Sequence, residues 1–515
     1  MMADLLLYNA NVLTLDTNYR EAQLVAIRDG RILTVGGNEA RQAFMGPSTV
    51  AIDCQGKTVL PGFNDAHCHF MALAKHLISL DLSPSRVRSI LDIRGEIGRL
   101  ARRLPPGSWI TAGRYDEFYL AEKRHPTRWD LDEATSLHPV KLTHRSGHAH
   151  VLNSLALRLV GISNETPEPG GGIIERDWET GEPNGLLYDM DDFLNRKVPP
   201  LSYDELEQGV NLANQELLSL GITSIQDLSA ENDIERWQMF HRWKREGNLR
   251  CRLSFALGLE GFNQYQEEGL PPDLDKSEVH LGGVKIILQE TTGRLSPTMA
   301  ELEPILLRIH QSDLQIAFHA VEETSIEAAC SILERLLHNS PRIDHRHRIE
   351  HCSVCRPEIA KRLASLEVVV VTQPSFVYYH GERYLKTMCE KELGYLYPIA
   401  TLLRAGVKVA AGSDSPVVNP NPLVAIYAAI SRKTTTGETV SAGEGISLAQ
   451  ALWTYTGGAA YASFEEAVKG SVIPGKLADL VVLSHDLIKI PVDEIKNVKV
   501  DMTFVGGEIV WQREA

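Results

Sequence analysis

The chain lacks the features that mark secreted, membrane-spanning or nucleic-acid-binding proteins. Its start, MMADLLLYNANVLTLD, has no basic leader and no long apolar core, so a secretory signal is not expected. No apolar run is long enough to span a bilayer. Cysteines are few, seven in 515 residues, odd in number and scattered. Reduced thiols in the cytoplasm are therefore expected. Positive charge is in deficit: 52 Lys and Arg against 67 Asp and Glu leave a net charge of −15. An acidic surface repels phosphate backbones, which argues against a nucleic-acid partner. No repeat or low-complexity segment is visible.

What is present is ordinary globular material. Hydrophobic residues make up 43% and charged residues 23%, and the length allows one large domain with a smaller one. The first sixty residues, LLLYNANVLTLD, QLVAIRDGRILTVGG and TVAIDCQGKTVLPGF, read as short strands joined by turns such as Arg28-Asp29-Gly30. ADLVVLSHDL and KVDMTFVGGEIVWQ near the other end have the same texture. Residues 1–58 with 470–515 are expected to form one small β domain. The middle, 59–469, alternates strands with helical patterns, as a parallel sheet requires. TVLPGFNDAHCH, ITSIQDL, RLSFALG, GGVKIIL, LQIAFHA, HRIEH, EVVVVTQP and GVKVAAGSD make eight strands. The expected fold is α/β, a (β/α)8 TIM barrel with that β domain, read as a sandwich, beside it. Residues 71–220, between the first and second strands, are too many for a loop and are expected to fold as a cap over the barrel mouth.

Barrel strands deliver functional groups at their C-terminal ends. Here those ends carry metal-ligand residue types. Strand one ends Asp65-Ala66-His67-Cys68-His69, and alternation puts His67 and His69 on one face, with Cys68 turned away. His319 closes strand five, His351 strand six, and Asp414 strand eight. Such nitrogen and oxygen ligands suit zinc or a similar divalent ion, one or two of them. Lys285 lies in strand four, where an ammonium beside a metal would be repelled. As a carbamate it would instead be an anionic ligand able to bridge two metals.

Each residue has a plainer reading. A lone histidine is often a satisfied core residue, Lys285 an ion-pair partner, and Asp414 a helix N-cap before Pro416. Two further H-x-H pairs exist. His148 and His150 lie in the cap segment, and His345 and His347 lie in PRIDHRHR, which reads as a solvated turn. Cys352 and Cys355 form a C-x-x-C without a partner pair and read as packed thiols. The joint placement of six ligand-capable residues on five strands is what favours a metal centre.

The set resembles the amidohydrolase superfamily, and within it the subgroup of N-substituted formamide deformylases. The stretches carrying the resemblance are LPGFNDAHCH, GRYDEFYLAEKRHPTRWDLDEA, SGHAHVLNSLAL, GITSIQD, RIEHCSV, TQPSF, AGSDSPV, TYTGGAAYASF and GSVIPGKLADLVVL. The resemblance implies that His67 and His69 bind the more buried metal and that Lys285 bridges as an N6-carboxylated lysine. It implies that His319 and His351 bind a second metal and that Asp414 is both ligand and general base. His148 corresponds to a cap histidine and is a candidate substrate contact. Two loops depart from the subgroup: Gln289-Glu290-Thr291-Thr292-Gly293-Arg294 stands where Asp-Gly and a Gly-Ser loop are usual, and Glu322-Glu323 stands where Gly-Asp is common.

The implied activity is hydrolysis of a C–N bond, amide or N-formyl, in a small-molecule substrate, with no nucleic acid or membrane as partner. A homo-oligomer stays open. Deamination, or hydrolysis of an ester, lactone or cyclic imide, uses the same scaffold. A binding or scaffold protein that lost turnover would be expected to have lost ligands, and all six positions are intact.

Overall fold

The computed structural model describes residues 1–16, 22–169, 172–270, 279–288 and 298–514. The chain divides into two compact units, one of residues 1–70 with 214–515 and one of 71–213.

The first unit contains the barrel. Its strands are Phe63–Cys68, Ile222–Asp227, Arg252–Leu257, Val279–Ile287, Gln315–Ala320, Arg348–His351, Val369–Thr372 and Lys408–Ala411. Each pairs in parallel with the next, so the sheet runs from strand eight to strand one in sequence order. Strands one and eight then meet. Cys68 bridges Ser415 in parallel, Asp414 N donates to His67 O at 2.7 Å, and His69 N donates to Ser415 O at 2.9 Å. The seam tolerates no side chain at position 412, because a Cβ on Gly412 would stand 2.4 Å from the His67 nitrogen. Helices such as Glu323–Asn339 and Pro357–Ser365 follow the strands.

One expected strand is two. Thr58–Pro61 belongs to a five-stranded sheet and Phe63–Cys68 to the barrel, with a break at Gly62. A Cβ at Gly62 would meet the Thr223 side chain at 2.2–2.3 Å, so the chain can turn between sheets there only with glycine. The five-stranded sheet joins the two chain ends: Asn11–Val12 and Thr58–Pro61 align with Leu480–Leu483, Val500–Val505 and Glu508–Gln512. A shared apolar core of Leu7, Val25, Ile27, Val59, Leu480, Val482 and Phe504 holds them. The Arg28-Asp29-Gly30 turn forms as read, with positive φ at Asp29 (49°) and Gly30 (73°).

The second unit is folded, not a loop. Its six-stranded sheet runs Ile173–Arg176, Pro183–Tyr188, Ala149–Leu152, Val140–His144, Ile110–Tyr115, Leu80–Asp81. Its core includes Ile93, Ile97, Leu131, Leu142 and Val151. Among the described residues, no helix is long and apolar enough to cross a membrane.

Candidate metal centre

Strand one sets the depth of the site. Asp65, His67 and His69 share one strand face, and the side chains of His67 and His69 are 0% and 26% exposed. Asp65, fully buried, ties strand one to strand eight by accepting from Ser413 N (2.8 Å) and Ser413 Oγ (2.5 Å). Burial pushes its carboxyl up to about 6, against those hydrogen bonds. The next residue, Asp414, in the segment that leaves strand eight, is thereby presented to the histidines. Asp414 Oδ1 lies 3.0 Å from His69 Nε2 and 3.5 Å from His67 Nε2. Ligand atoms of these three residues fall within 4.8 Å of one another. No helix begins at Ser415; Asp414 O instead accepts from Val417 N in a turn. The N-cap reading of Asp414 therefore does not hold.

Strand six completes the inner part. The imidazoles of His351 and His67 stand 4.8 Å apart, and those of His351 and His319 stand 4.4 Å apart. Glu350 also reaches His67, its Oε2 lying 2.5 Å from Nδ1. Neighbouring residues of a regular strand point to opposite faces, so they could not both meet one side chain. The backbone resolves this: His351 has φ 71° and Cys352 φ 49°. This left-handed kink, unfavourable for a side-chain-bearing residue, re-aims His351. Asp414 sits in the same region at φ 57°.

Each inner histidine is held by one nitrogen and presents the other. His67 Nδ1 is on Glu350, His69 Nδ1 is 3.1 Å from Ser229 Oγ, and His351 Nδ1 is 2.9 Å from Gln373 Oε1. The Nε2 atoms of His67 and His351 are buried without a hydrogen-bond partner, as is Lys285 Nζ. Orphaned buried nitrogens are costly. Three of them beside a carboxylate, two on imidazoles already oriented through Nδ1, fit a divalent cation well. Burial, helped by the Lys285 charge, pushes His67 far below its usual value, so its lone pair is available. Burial also lowers His351. Burial opposes charge on His69, but the hydrogen bond with Asp414 outweighs it and raises that pKa. Burial would raise Asp414, yet the His69 hydrogen bond and the surrounding histidines hold it well below the carboxylate range. Burial brings Lys285 down to about 8 against the pull of Glu350 and Asp414.

A support network lies behind the histidines that the sequence reading missed. Glu350 is gripped by Arg348 through Nε and through Nη2 at 3.1 Å. Arg348 also donates to Gln226 Oε1 and to Ala66 O, both at 2.6 Å. All three side chains are buried. The signal was available: two charged residues at alternate positions of the apolar strand RIEH must find partners inside the protein.

The two other H-x-H pairs take other roles. His148 and His150 lie in the second unit. His148, with its side chain 52% exposed, has Nδ1 2.8 Å from Asp189 Oδ1. His150 is buried, with Nε2 2.9 Å from Asp191 Oδ1. The solvated-turn reading of His345 and His347 is wrong, because both are buried. They form a chain with defined tautomers. His345 Nε2 donates to Leu366 O (3.0 Å) and its Nδ1 accepts from His347 N (2.9 Å). His347 Nδ1 accepts from Ile316 N (3.0 Å), so its Nε2 donates to His310 Nδ1 (2.9 Å), and His310 Nε2 donates to Ser340 O (2.8 Å). The lone pairs are used up inside the protein, so no metal is needed.

This chain predicts acid sensitivity. Burial depresses His347 strongly and His345 also, with His310 and Arg342 adding to both. A depressed folded pKa means the unfolded chain takes the proton first. Stability is therefore intact above the ordinary value of 6.5 and lost as pH falls below it. Each such histidine can add up to about 1.4 kcal/mol per pH unit to that loss. Urea unfolding between about pH 7 and pH 5 should show the loss. His347→Asn, which keeps an acceptor near Ile316 N, should flatten it. An unchanged slope would remove the chain from the explanation.

The other residues singled out in the sequence are accounted for locally. Cys352 and Cys355 are buried free thiols. Glu323 pairs with Arg356, whose Nε donates to it at 2.6 Å. The 289–294 stretch lies outside the described residues.

Known proteins resemble this chain along nearly its whole length. A family model described as the amidohydrolase family matches residues 50–511. The N-substituted formamide deformylase of Arthrobacter pascens is 29% identical over an alignment 540 positions long, gaps included, covering 99% of each chain. The protein LONG AFTER FAR-RED 3 of Arabidopsis thaliana is 28% identical, covering 99% of this chain and 92% of its own. Among solved structures, an uncharacterized metal-dependent hydrolase from Pyrococcus horikoshii superposes with a TM-score of 0.75 at 21% identity. That match covers 95% of this chain and 99% of the other, and it supports the fold.

Proposed function

The chain belongs to the amidohydrolase family, and from that footing we propose that it is a metal-dependent hydrolase of carbon–nitrogen bonds outside peptides, acting on an amide or N-formyl group of a small molecule. The observation that carries the reading is the meeting of His67, His69, His351 and Asp414, with buried Nε2 atoms on His67 and His351 that have no hydrogen-bond partner. His67, His69, His319, His351, Asp414 and Lys285 would hold the metal, and zinc suits such a nitrogen and oxygen set. When bound there, a divalent ion lowers the pKa of a water, to about 7 in favourable cases, and polarises a carbonyl.

The side chains do the rest. Glu350 and Gln373 fix the rings of His67 and His351. Asp414, ionised in its histidine surroundings, takes the proton of the attacking water and delivers it to the leaving nitrogen as the C–N bond breaks. The Lys285 amine, brought down to about 8, has an accessible neutral form. Its nitrogen adds to carbon dioxide and releases one proton, giving a carbamate. His148 is proposed to contact substrate. The cytoplasm is the proposed compartment, since all seven cysteines are free thiols.

The test is a substrate panel on metal-loaded protein: N-formyl amines, acyl amides, esters, lactones, cyclic imides and amino-substituted heterocycles. Amine release from N-formyl or acyl amides is the expected result. Turnover confined to the other classes would move the reaction, and none at all in a fully metallated sample would favour a binding role.

A further inference from the structure

A second constellation of ligand types lies wholly within residues 71–213. Strands Ile110–Tyr115 and Val140–His144 pair in parallel, and their register sets His144 opposite Tyr115. Glu117 follows two residues after Tyr115, and His125 comes from the segment before helix Arg128–Asp132. These three elements bring one carboxylate and two imidazoles together. Glu117 Oε2 lies 2.8 Å from His144 Nε2 and 3.9 Å from His125 Nε2. The two rings are 5.4 Å apart.

Both imidazoles are oriented through the far nitrogen. His125 Nδ1 is 2.8 Å from the Tyr115 hydroxyl, and His144 Nδ1 is 2.8 Å from Ser146 Oγ. Each therefore turns Nε2 towards Glu117. The side chain of His144 is only 7% exposed, and its Nε2 makes no hydrogen bond despite the 2.8 Å contact. Asp116 also comes within 4.8 Å of the ligand atoms of Glu117 and His144, but it is engaged elsewhere: Arg145 Nε lies 2.6 Å from it and Phe118 N donates to it at 3.0 Å.

We propose that Glu117, His125 and His144 bind a divalent transition ion of the zinc class, independently of the barrel residues. Two histidines and a carboxylate form a known zinc set that leaves a fourth position for water. With metal–ligand bonds of about 2.1 Å, two ligands of one ion lie no more than about 4.2 Å apart, and both measured separations from Glu117 satisfy this. The opposing reading is a plain His144–Glu117 hydrogen bond, towards which the Ser146 amide, 3.2 Å from His144 Nδ1, would bias the ring.

Zinc titration separates the two. The full chain carrying His67→Ala and His69→Ala should still bind one equivalent of zinc, and adding His125→Asn and His144→Gln should abolish that binding. Should the multiple variant not fold, His125→Asn with His144→Gln in the otherwise native protein gives the same reading. Its zinc content at saturation should fall by one equivalent. Cobalt loading supplies a spectroscopic check, since one set of visible bands should vanish with the same two substitutions. Zinc content unchanged by those substitutions, or no zinc bound once the barrel pair is removed, would overturn the proposal.

Discussion

Asp414→Asn should lower turnover by about 10²–10⁴-fold or more, the usual contribution of a general acid–base group. The substitution keeps shape and polarity but removes the carboxylate charge. In the folded protein Asp414 Oδ1 is within 3.0 Å of His69 Nε2 and 3.5 Å of His67 Nε2. No helix starts behind it, so a cap role, worth about 1 kcal/mol, is not at issue. Because Asp414 is also a proposed ligand, rate and metal content must come from one sample. A folded, largely metallated and nearly inactive variant identifies Asp414 as the proton acceptor. Near-normal turnover would leave the water without a named base.

The second large effect separates the three H-x-H pairs. His67→Ala with His69→Ala should lose the barrel metal, and turnover should fall to background. Prolonged chelation of the native protein should do the same, with recovery on adding metal back. His345→Ala with His347→Ala should keep the barrel metal but destabilise the protein. Leu366 O, Ile316 N and His310 Nδ1 all lose buried partners in that variant. Each orphan costs about 1–3 kcal/mol. Metal analysis beside urea unfolding reads both outcomes. Metal loss from the folded 345/347 variant, with the 67/69 variant still loaded, would reverse the assignment of the metal-binding pair.

Much of this was legible in the order of the amino acids. The eight barrel strands follow from short apolar runs separated by helical periodicity, and the ligand types stand at their ends. Period-two alternation alone put His67 and His69 on one face and turned Cys68 away, where its Sγ meets Gln226 O at 3.7 Å. These features are local, and local chain geometry depends on neighbours in sequence.

What only the tertiary structure decided is whatever depends on a bend or a distant partner. Alternation would have sent Glu350 and His351 to opposite faces; a left-handed backbone at His351 lets both reach His67. Asp65 reads as one more residue before the H-x-H pair until the barrel closes and Ser413 arrives against it. PRIDHRHR is as charged as any solvated turn. Its two histidines are buried all the same, because His310, Ile316 and Leu366, from three other segments, meet their hydrogen-bonding needs. Sequence states which groups must be satisfied, and folding decides by what, since burying a polar atom is tolerable only where a partner, or a metal, is brought to it.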